Sequence, residues 1–578
     1  MKRKPVYFAD FETTQPNKEG KVRVYLWCLA MSEKSVLWGK EIDNFIKFII
    51  NKRCIIYFHN LKFDSSYILY YLLTNNIEFD VCEKQGIIYS IKFNDIELRD
   101  SLNFIPCSLK EIGETYCTKY HKLDYDDYAK PYDYEPNSYD IKYCMYDVQT
   151  LREGLTNYLN ELEKVLKENG AVKTAKKVHK KLTNAGISYE AFKEITKIDK
   201  ICERTTRDMY NLIKGAYSGG FVYAKGGIYE ATNDFSILML DENSMYPDKY
   251  ANAPMPVGKH FAIGESEIFK EGVFAIISVS IKFHLKNGCF PIIGQGFNKQ
   301  GSTIYMKDSD DFINLVITNV DFNYILKFYD CEWLFNWGIG WRTKKGVFKP
   351  YADIFMKVKA ESKGVRREVA KKLLNMCYGK TAMSGLTENK KYSINEYGVV
   401  IGEIIEIVED DELLQYFQIG IAICSYAHAD LWEKCYKLGC ENVLYTDTDS
   451  IKFKCYNKDV LNNIPIDDKK LGFWKVEGEP TIFRPLSPKK YIYYENKRLH
   501  ITSAGFNHGE VFEALGCPYH KNDKGQYESL EMSQNEALKY VLKFDFGLKV
   551  MSKQSRLVEG GRLIKEVEKE IKKPSCMS

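Results

Sequence analysis

Apolar positions change period several times along the chain, and the changes divide it into four regions. Up to about Asn157, short apolar runs alternate with helical spacing, starting with the buried-strand pattern Val6-Tyr7-Phe8-Ala9. A Lys-rich stretch from about Tyr158 to Lys200 reads as a helical linker. The long middle region carries β-branched and aromatic runs such as Val273 to Phe283, then passes into helical spacing from Tyr351 to Tyr378. A hairpin is predicted from Lys390 to about Glu406, turning near Glu396-Tyr397-Gly398. Strand patterns return around Tyr445 and Tyr491, ahead of a small β/helical tail. With 578 residues the chain exceeds what one core can fill, so the expectation is α/β with several domains.

Composition narrows the picture mainly by exclusion. A net charge of +4 does not announce a nucleic-acid binder, so basic residues would have to act locally, as in the runs Lys357 to Lys372 and Lys173 to Lys181. The 16 cysteines form no C-x-x-C pair, which argues against a zinc or iron–sulfur module and against a disulfide framework. Met1-Lys2-Arg3-Lys4-Pro5 runs straight into a strand rather than a signal peptide, and no apolar stretch is long enough to span a bilayer. A reduced, cytosolic protein is expected. The 14% aromatic content, with 42 Tyr, fits either an AT-rich coding bias or selection for base stacking.

Two acidic constellations carry candidate chemistry. In Tyr445-Thr446-Asp447-Thr448-Asp449-Ser450, apolar flanks anchor a hairpin turn, and strand alternation would send Asp447 and Asp449 to one side. Alone this is more often a solvated acidic turn, but adjacent ionised carboxylates call for a cation. Leu238-Met239-Leu240-Asp241 is a second apolar strand ending in a carboxylate, followed by Tyr246 and Pro247. Two-metal phosphoryl transfer draws carboxylates from separate strands in this way. Lys359, Arg367 and Lys371, spaced by eight and four, fall near one face of a helix and suit a triphosphate, while Asn375 and Tyr378 follow within two turns.

The second set lies in the first region. Asp10 and Glu12 close the first strand, Asn60 and Asp64 lie in Tyr57-Phe58-His59-Asn60-Leu61-Lys62-Phe63-Asp64, and Tyr143 and Asp147 stand one helical turn apart. Four carboxylates suit two ions in phosphodiester hydrolysis, with Tyr143 orienting the water.

D-x-x-S-M-Y-P at Asp241, K-x-x-x-N-x-x-Y-G at Lys371 and Y-x-D-T-D-S at Tyr445, in that order, resemble the three palm and fingers motifs of family B DNA polymerases. The resemblance implies that Asp241 and Asp449 bind the catalytic metals with Asp447 in support, and that Tyr246 is a steric gate against a ribose 2′-hydroxyl. It further implies that Lys359, Arg367 and Lys371 contact the incoming triphosphate, with Asn375 and Tyr378 lining the nucleotide pocket. Met376 departs from the small Ser usual there. The acidic set of the first region resembles the DEDD 3′–5′ exonuclease, implying that Asp10, Glu12, Asp64 and Asp147 bind two metals. Thr13, Tyr57, His59, Asn60, Phe63, Ser101 and Leu102 match positions holding single-stranded DNA. Lys122-Leu123-Asp124-Tyr125 resembles a further exonuclease motif in which Lys122 serves catalysis.

Other segments resemble the phi29-like, protein-primed members of the family. Tyr217-Ser218-Gly219-Gly220 resembles a linker motif that grips DNA through Tyr217, Gly219 and Gly220, and Lys489-Lys490-Tyr491 a K-x-Y motif in which Lys489 and Tyr491 hold the primer terminus. The resemblance implies an RNase H-like exonuclease and linker over 1–190, palm over 191–258, and palm continuation over 259–348 with a first insertion at about 297–348. Fingers over 349–384, a second insertion over 385–410, palm over 411–518 and thumb over 519–578 complete a right-hand polymerase. It also implies two divalent ions per site, magnesium by default with manganese as the alternative. Implied partners are template and primer DNA, deoxynucleoside triphosphates (dNTPs), a terminal protein as primer, and single-stranded-DNA-binding and other replication proteins. A monomer without membrane attachment, in the cytoplasm of a bacterial host, is the corresponding expectation.

Overall fold

The computed structural model describes residues 4–124, 130–297, 303–522 and 525–573. Tyr125 of the Lys122 motif and positions 298–302 of the expected first insertion lie outside the described residues. The chain forms two compact units. One comprises Met1–Lys197, Asp353–Leu413 and Lys553–Lys565; the other comprises Ile198–Ala352, Leu414–Ser552 and Glu566–Ser578.

The first unit is built on a seven-stranded sheet. Val6–Thr13, an inner strand and the one central to the first acidic set, lies antiparallel to Val24–Ser32 and parallel to the middle strand Cys54–Phe58, which in turn lies parallel to Ile96–Asp100. Phe11, Trp27, Phe45, Phe58 and Ile68 fill the core against this sheet. The 31-residue helix Ser138–Glu168 starts with a capping box: Asn137 accepts from the Asp140 backbone, and Asp140 accepts from that of Asn137. Its buried face runs through Tyr143, Asp147, Leu151, Leu155, Tyr158 and Leu162, the i, i+3/i+4 spacing of an amphipathic helix. This corrects the expected linker starting near Tyr158, because that helix continues unbroken from the acidic set to Glu168 before the shorter helices Val172–Ala175 and Asn184–Thr196.

The helical region beyond Lys349 also departs from expectation. It is two helices, Lys349–Glu361 and Gly364–Met376, separated where Gly364 adopts φ +55°, a conformation that favours glycine. Lys359 therefore stands on a different helix from Arg367 and Lys371. Arg367 nevertheless donates to the Lys359 carbonyl at 2.9 Å, which keeps the break tight. The expected hairpin is present, as strands Leu386–Ile394 and Val400–Glu409 in antiparallel register around 395–399.

The second unit centres on a five-stranded sheet in the order Trp474–Gly478, Ser236–Glu242, Ser450–Cys455, Val443–Asp447 and Val222–Ala224. Alternation sends Leu238 and Leu240 into a core with Ala427, Leu431 and Cys435 of the helix Phe417–Leu438. Ile237 and Met239 face the opposite way and pack with Leu444, Tyr445 and Phe483. A four-stranded sheet orders Met255–Ala262, Tyr329–Lys344, Val273–Leu285 and Asp308–Thr318. The segment expected as the first insertion is thus woven into this sheet, since Tyr329–Lys344 pairs on both sides. A six-stranded sheet includes Lys490–Glu495 and Arg498–Ser503.

Candidate active sites

In the first unit, Asp10 and Glu12 lie two apart on the strand Val6–Thr13 and share a face, as alternation requires. Their carboxylate oxygens and the Cys144 sulfur fall within 4.8 Å of one another. Burial, followed by the Asp147 charge, pushes the Asp10 carboxyl up to about 7. Burial and neighbouring carboxylates hold Glu12 and Asp64 well above the ordinary range, and Asp64 feels Asp10 most strongly among those neighbours. The four predicted acidic side chains are therefore brought together. Lys122 donates to both Tyr143 and Asp147, whose burial raises its carboxyl while Lys122 lowers it. Asp64 Oδ1 and Asp147 Oδ1 are buried without a hydrogen-bond partner among the described residues. A divalent ion fits this oxygen-rich, underneutralised cluster. Burial pushes the Cys144 thiol well above the usual range, and it donates to the Asp10 carbonyl at 3.8 Å.

The predicted single-strand contacts separate into two groups. Asn60 is exposed, and Thr13, Phe63 and Leu102 are half-buried. Asp100, which sequence reasoning missed, accepts from the Asn60 backbone at 3.1 Å and from Leu102 at 2.9 Å, tying two of these segments together. Tyr57 and Ser101, by contrast, are 2% and 0% exposed and lie in the wall beneath those side chains. Tyr57 packs against Phe8 and Phe104. Ser101 is 2.8 Å from His59 Nδ1, and His59 Nε2 donates to the Cys107 carbonyl at 2.9 Å. Both imidazole nitrogens are thereby engaged, which fixes the half-buried ring against the 101–107 segment.

In the second unit, strand register assembles the acidic set. Ser450 stands opposite Asp241 on one side and Asp447 on the other, and Glu242 N donates to the Asp449 carbonyl at 2.7 Å. Thr448 at φ +58° makes the turn, so a left-handed residue, not the expected strand alternation, sets the relation of Asp447 to Asp449. Burial, then the charges of Asp241 and Asp447, push Asp449 up to about 6. Lys475 pairs with Asp241 at 3.1 Å, and Lys489 with Asp447 at 3.1 Å. Among the described residues no carboxylate trio here is as tight as the group in the first unit. The two lysines supply the positive charge, and the donors are the hard oxygens a divalent cation takes.

The K-x-Y residues close around the same strand. Lys489 N donates to the Tyr445 hydroxyl at 2.9 Å, and Tyr491 meets the Tyr445 ring edge-on at 4.9 Å. Lys452, also missed from sequence, lies 5.1 Å from the Tyr445 ring and 5.2 Å from that of Tyr491. Its burial lowers its pKa against the opposing pull of Glu477, Asp447, Asp241 and Asp449. A lysine amid Ile451 and Phe453 was the available sequence signal; Lys475 left none, because only the register sets it opposite Asp241. Tyr246 is the second residue of the helix Met245–Asn252, which follows the Asp241 strand in sequence, and Tyr217, Gly219 and Gly220 are exposed. Lys359 and Tyr378 are half-buried and Arg367, Lys371 and Asn375 exposed, all in the first unit.

The fold is that of solved DNA polymerases. A phi29 DNA polymerase structure, complexed with primer-template DNA and incoming nucleotide substrates, matches with a TM-score of 0.80 at 21% identity, covering 99% of this chain and 100% of that one. The chain belongs to the type B DNA polymerases, organellar and viral, whose family model matches residues 46–138 and 119–415, together more than half its length. The DNA polymerase of Bacillus phage phi29 is 25% identical over 529 residues, 85% of this chain and 87% of that protein. That of Streptococcus phage Cp-1 is 26% identical over 534 residues, 84% and 88% of the two. No helix among the described residues is long and apolar enough to cross a membrane.

Proposed function

We propose that this DNA polymerase replicates a linear genome from a terminal-protein primer, proofreads with a 3′–5′ exonuclease, and displaces the strand ahead of it. The observation that carries the polymerase site is the register that sets Asp241 and Asp447 on either side of Ser450, with Asp449 in the adjoining turn. Asp241 and Asp449 hold two divalent ions, magnesium by default, and Asp447 supports them through Lys489. Held by these carboxylates, divalent ions would supply activation of the primer 3′-hydroxyl and neutralisation of triphosphate charge. Tyr246 gates the sugar, Lys359, Arg367 and Lys371 hold the triphosphate, and Asn375 and Tyr378 wall the nucleotide pocket. Tyr217, Gly219, Gly220, Lys489 and Tyr491 grip the primer–template.

In the first unit Asp10, Glu12, Asp64 and Asp147 form the exonuclease site. Lys122 and Tyr143 fix the Asp147 carboxylate from two directions. Tyr143 orients the attacking water. Thr13, Tyr57, His59, Asn60, Phe63, Ser101 and Leu102 form the surface that holds the single strand. The RNase H-like exonuclease, the right-hand division and the two insertions at about 297–348 and 385–410 belong to the same reading. So do the replication-protein partners, the monomeric state and action in a bacterial host, as for the phage relatives.

Two variants test it. Asp449→Ala should lose synthesis by ~10² or more while keeping exonuclease activity, and Asp10→Ala with Glu12→Ala should do the reverse. Loss of both activities in both variants, with folding intact by circular dichroism, would refute two separate sites. Addition of a first nucleotide to the genome's terminal protein, without any nucleic-acid primer, tests the mode of initiation.

A further inference from the structure

His428 lies on the helix Phe417–Leu438 and is 4% exposed. Its Nε2 donates to the Gly219 carbonyl at 2.6 Å, and its Nδ1 is 3.4 Å from Asp321 Oδ1. The Gly219 carbonyl only accepts, so Nε2 carries a proton, and the Asp321 carboxylate beside Nδ1 raises the imidazole's pKa against the effect of burial. Trp432 stacks on the ring at 5.1 Å and 26°, fixing its plane. Asp321 is itself fixed, because its backbone N–H is capped by the Thr318 hydroxyl at 3.0 Å.

What His428 holds leads directly to the acidic turn. Two residues after Gly219, the Phe221 carbonyl accepts from Thr448 N at 2.8 Å. Between them, a Cβ on Gly220 would lie 2.3 Å from the Thr448 hydroxyl oxygen, so only glycine lets the segment lie flush against the turn. The next residue, Val222, stands opposite Asp447 in the strand pairing. Thr448 is the left-handed residue between Asp447 and Asp449. A shift of the Gly219 carbonyl therefore reaches both carboxylates across a few rigid bonds. A cavity of about 1080 Å³, lined in part by Tyr217, Gly220 and Lys489, opens on the same segment and leaves it room to move when released.

We propose that the His428–Asp321 pair is the positioning element of the polymerase site: it clamps Gly219 and, through Gly220 and Phe221, sets the turn that presents Asp447 and Asp449. This rests on the reading of those carboxylates as metal ligands for synthesis. Neither His428 nor Asp321 touches the reacting atoms in that reading.

The test uses full-length His428→Leu, His428→Gln and Asp321→Asn in primer extension, with magnesium titrated, and in single-strand degradation. His428→Leu should lower kcat about 10-fold and raise the half-saturating magnesium concentration about 3-fold or more. His428→Gln keeps an N–H for Gly219 and should recover part of both. Asp321→Asn should move both in the same direction, and adding it to His428→Leu should cost little more, because the two residues act as one unit. Degradation, which uses the other acidic site, should stay within about 2-fold throughout. Unchanged synthesis and magnesium dependence in His428→Leu would overturn the proposal; so would synthesis and degradation falling together with no change in magnesium dependence. Asp449→Ala alongside separates the two failures. Synthesis surviving there refutes the site itself, whereas a dead Asp449→Ala beside an unaffected His428→Leu refutes only the clamp.

Discussion

At the scale of single residues, His59 has a consequence for stability. Burial lowers its pKa to about 4, against an ordinary 6.5, and its ring donates to Cys107 while accepting from Ser101. Between those pH values the unfolded chain takes up a proton that the folded one refuses, so stability falls as pH drops. The loss from this residue between pH 7 and pH 5 is about 2 kcal/mol. Urea unfolding of His59→Gln should show a shallower decline over that interval than the unchanged protein; parallel declines would mean that the imidazole is not buried neutral. The motif containing His59 was legible in the sequence, but its role was not. Residue type and order picked out Asp10, Glu12, Asp64 and Asp147 as one candidate set and Asp241 with Asp449 as another, and the fold brings each set together from strands and helices far apart in sequence. The same reading could not tell Asn60, exposed, from Tyr57, buried, because exposure depends on what packs above a strand. Lys475 and Asp100 were invisible for a related reason, as each acts through a neighbour fixed by register or by a turn.

At the scale of elements, the hairpin Leu386–Ile394/Val400–Glu409 was readable from its alternation and its Tyr-Gly turn. Its anchoring was not. Lys390 and Tyr392 both bond Glu83 on the strand Asp80–Lys84, and Tyr392 packs on Phe79. Beyond that anchor Ile404, Ile405 and Ile407 remain exposed. In the proposed function this hairpin, whose turn end packs on the core of its unit through Ile394 and Val400, is the barrier that admits one strand of DNA and turns the other aside. Deleting 390–406 should abolish extension through duplex ahead of the primer and leave the filling of single-stranded gaps, measured on paired gapped and nicked templates. Equal extension through duplex with and without the hairpin would remove its role in displacement. The helix break at Ser362-Lys363-Gly364 was missed because the charge spacing alone fits one continuous helix; Gly364 was the signal that outweighs it. Gly560-Gly561 shows the opposite case. The pair falls in the span expected as the thumb, and Gly561 has a local cause: a Cβ there would lie 2.1 Å from the Tyr67 ring, and the Tyr67 hydroxyl bonds the Arg562 carbonyl.

At the scale of the whole molecule, the two acidic sites belong to different compact units, yet neither unit is one continuous stretch of chain. The first gathers its parts from three separate segments, and so does the second. Periodicity in the sequence reveals elements but not which of them share a core, and this interleaving was therefore not legible. Its functional reading is that synthesis and degradation act in one molecule on one primer end. That makes a distinctive prediction. Supplied with a primed template and only the next correct dNTP, the unchanged protein should add a nucleotide, remove it and add it again, releasing deoxynucleoside monophosphate for as long as triphosphate lasts. Asp10→Ala with Glu12→Ala should add the nucleotide once and stop, with monophosphate release lowered by ~10² or more. Asp449→Ala should shorten the primer and consume no triphosphate. Thin-layer separation of labelled monophosphate from triphosphate reads all three. Sustained monophosphate release from the Asp10→Ala, Glu12→Ala variant would mean that hydrolysis occurs somewhere other than the acidic cluster of the first unit.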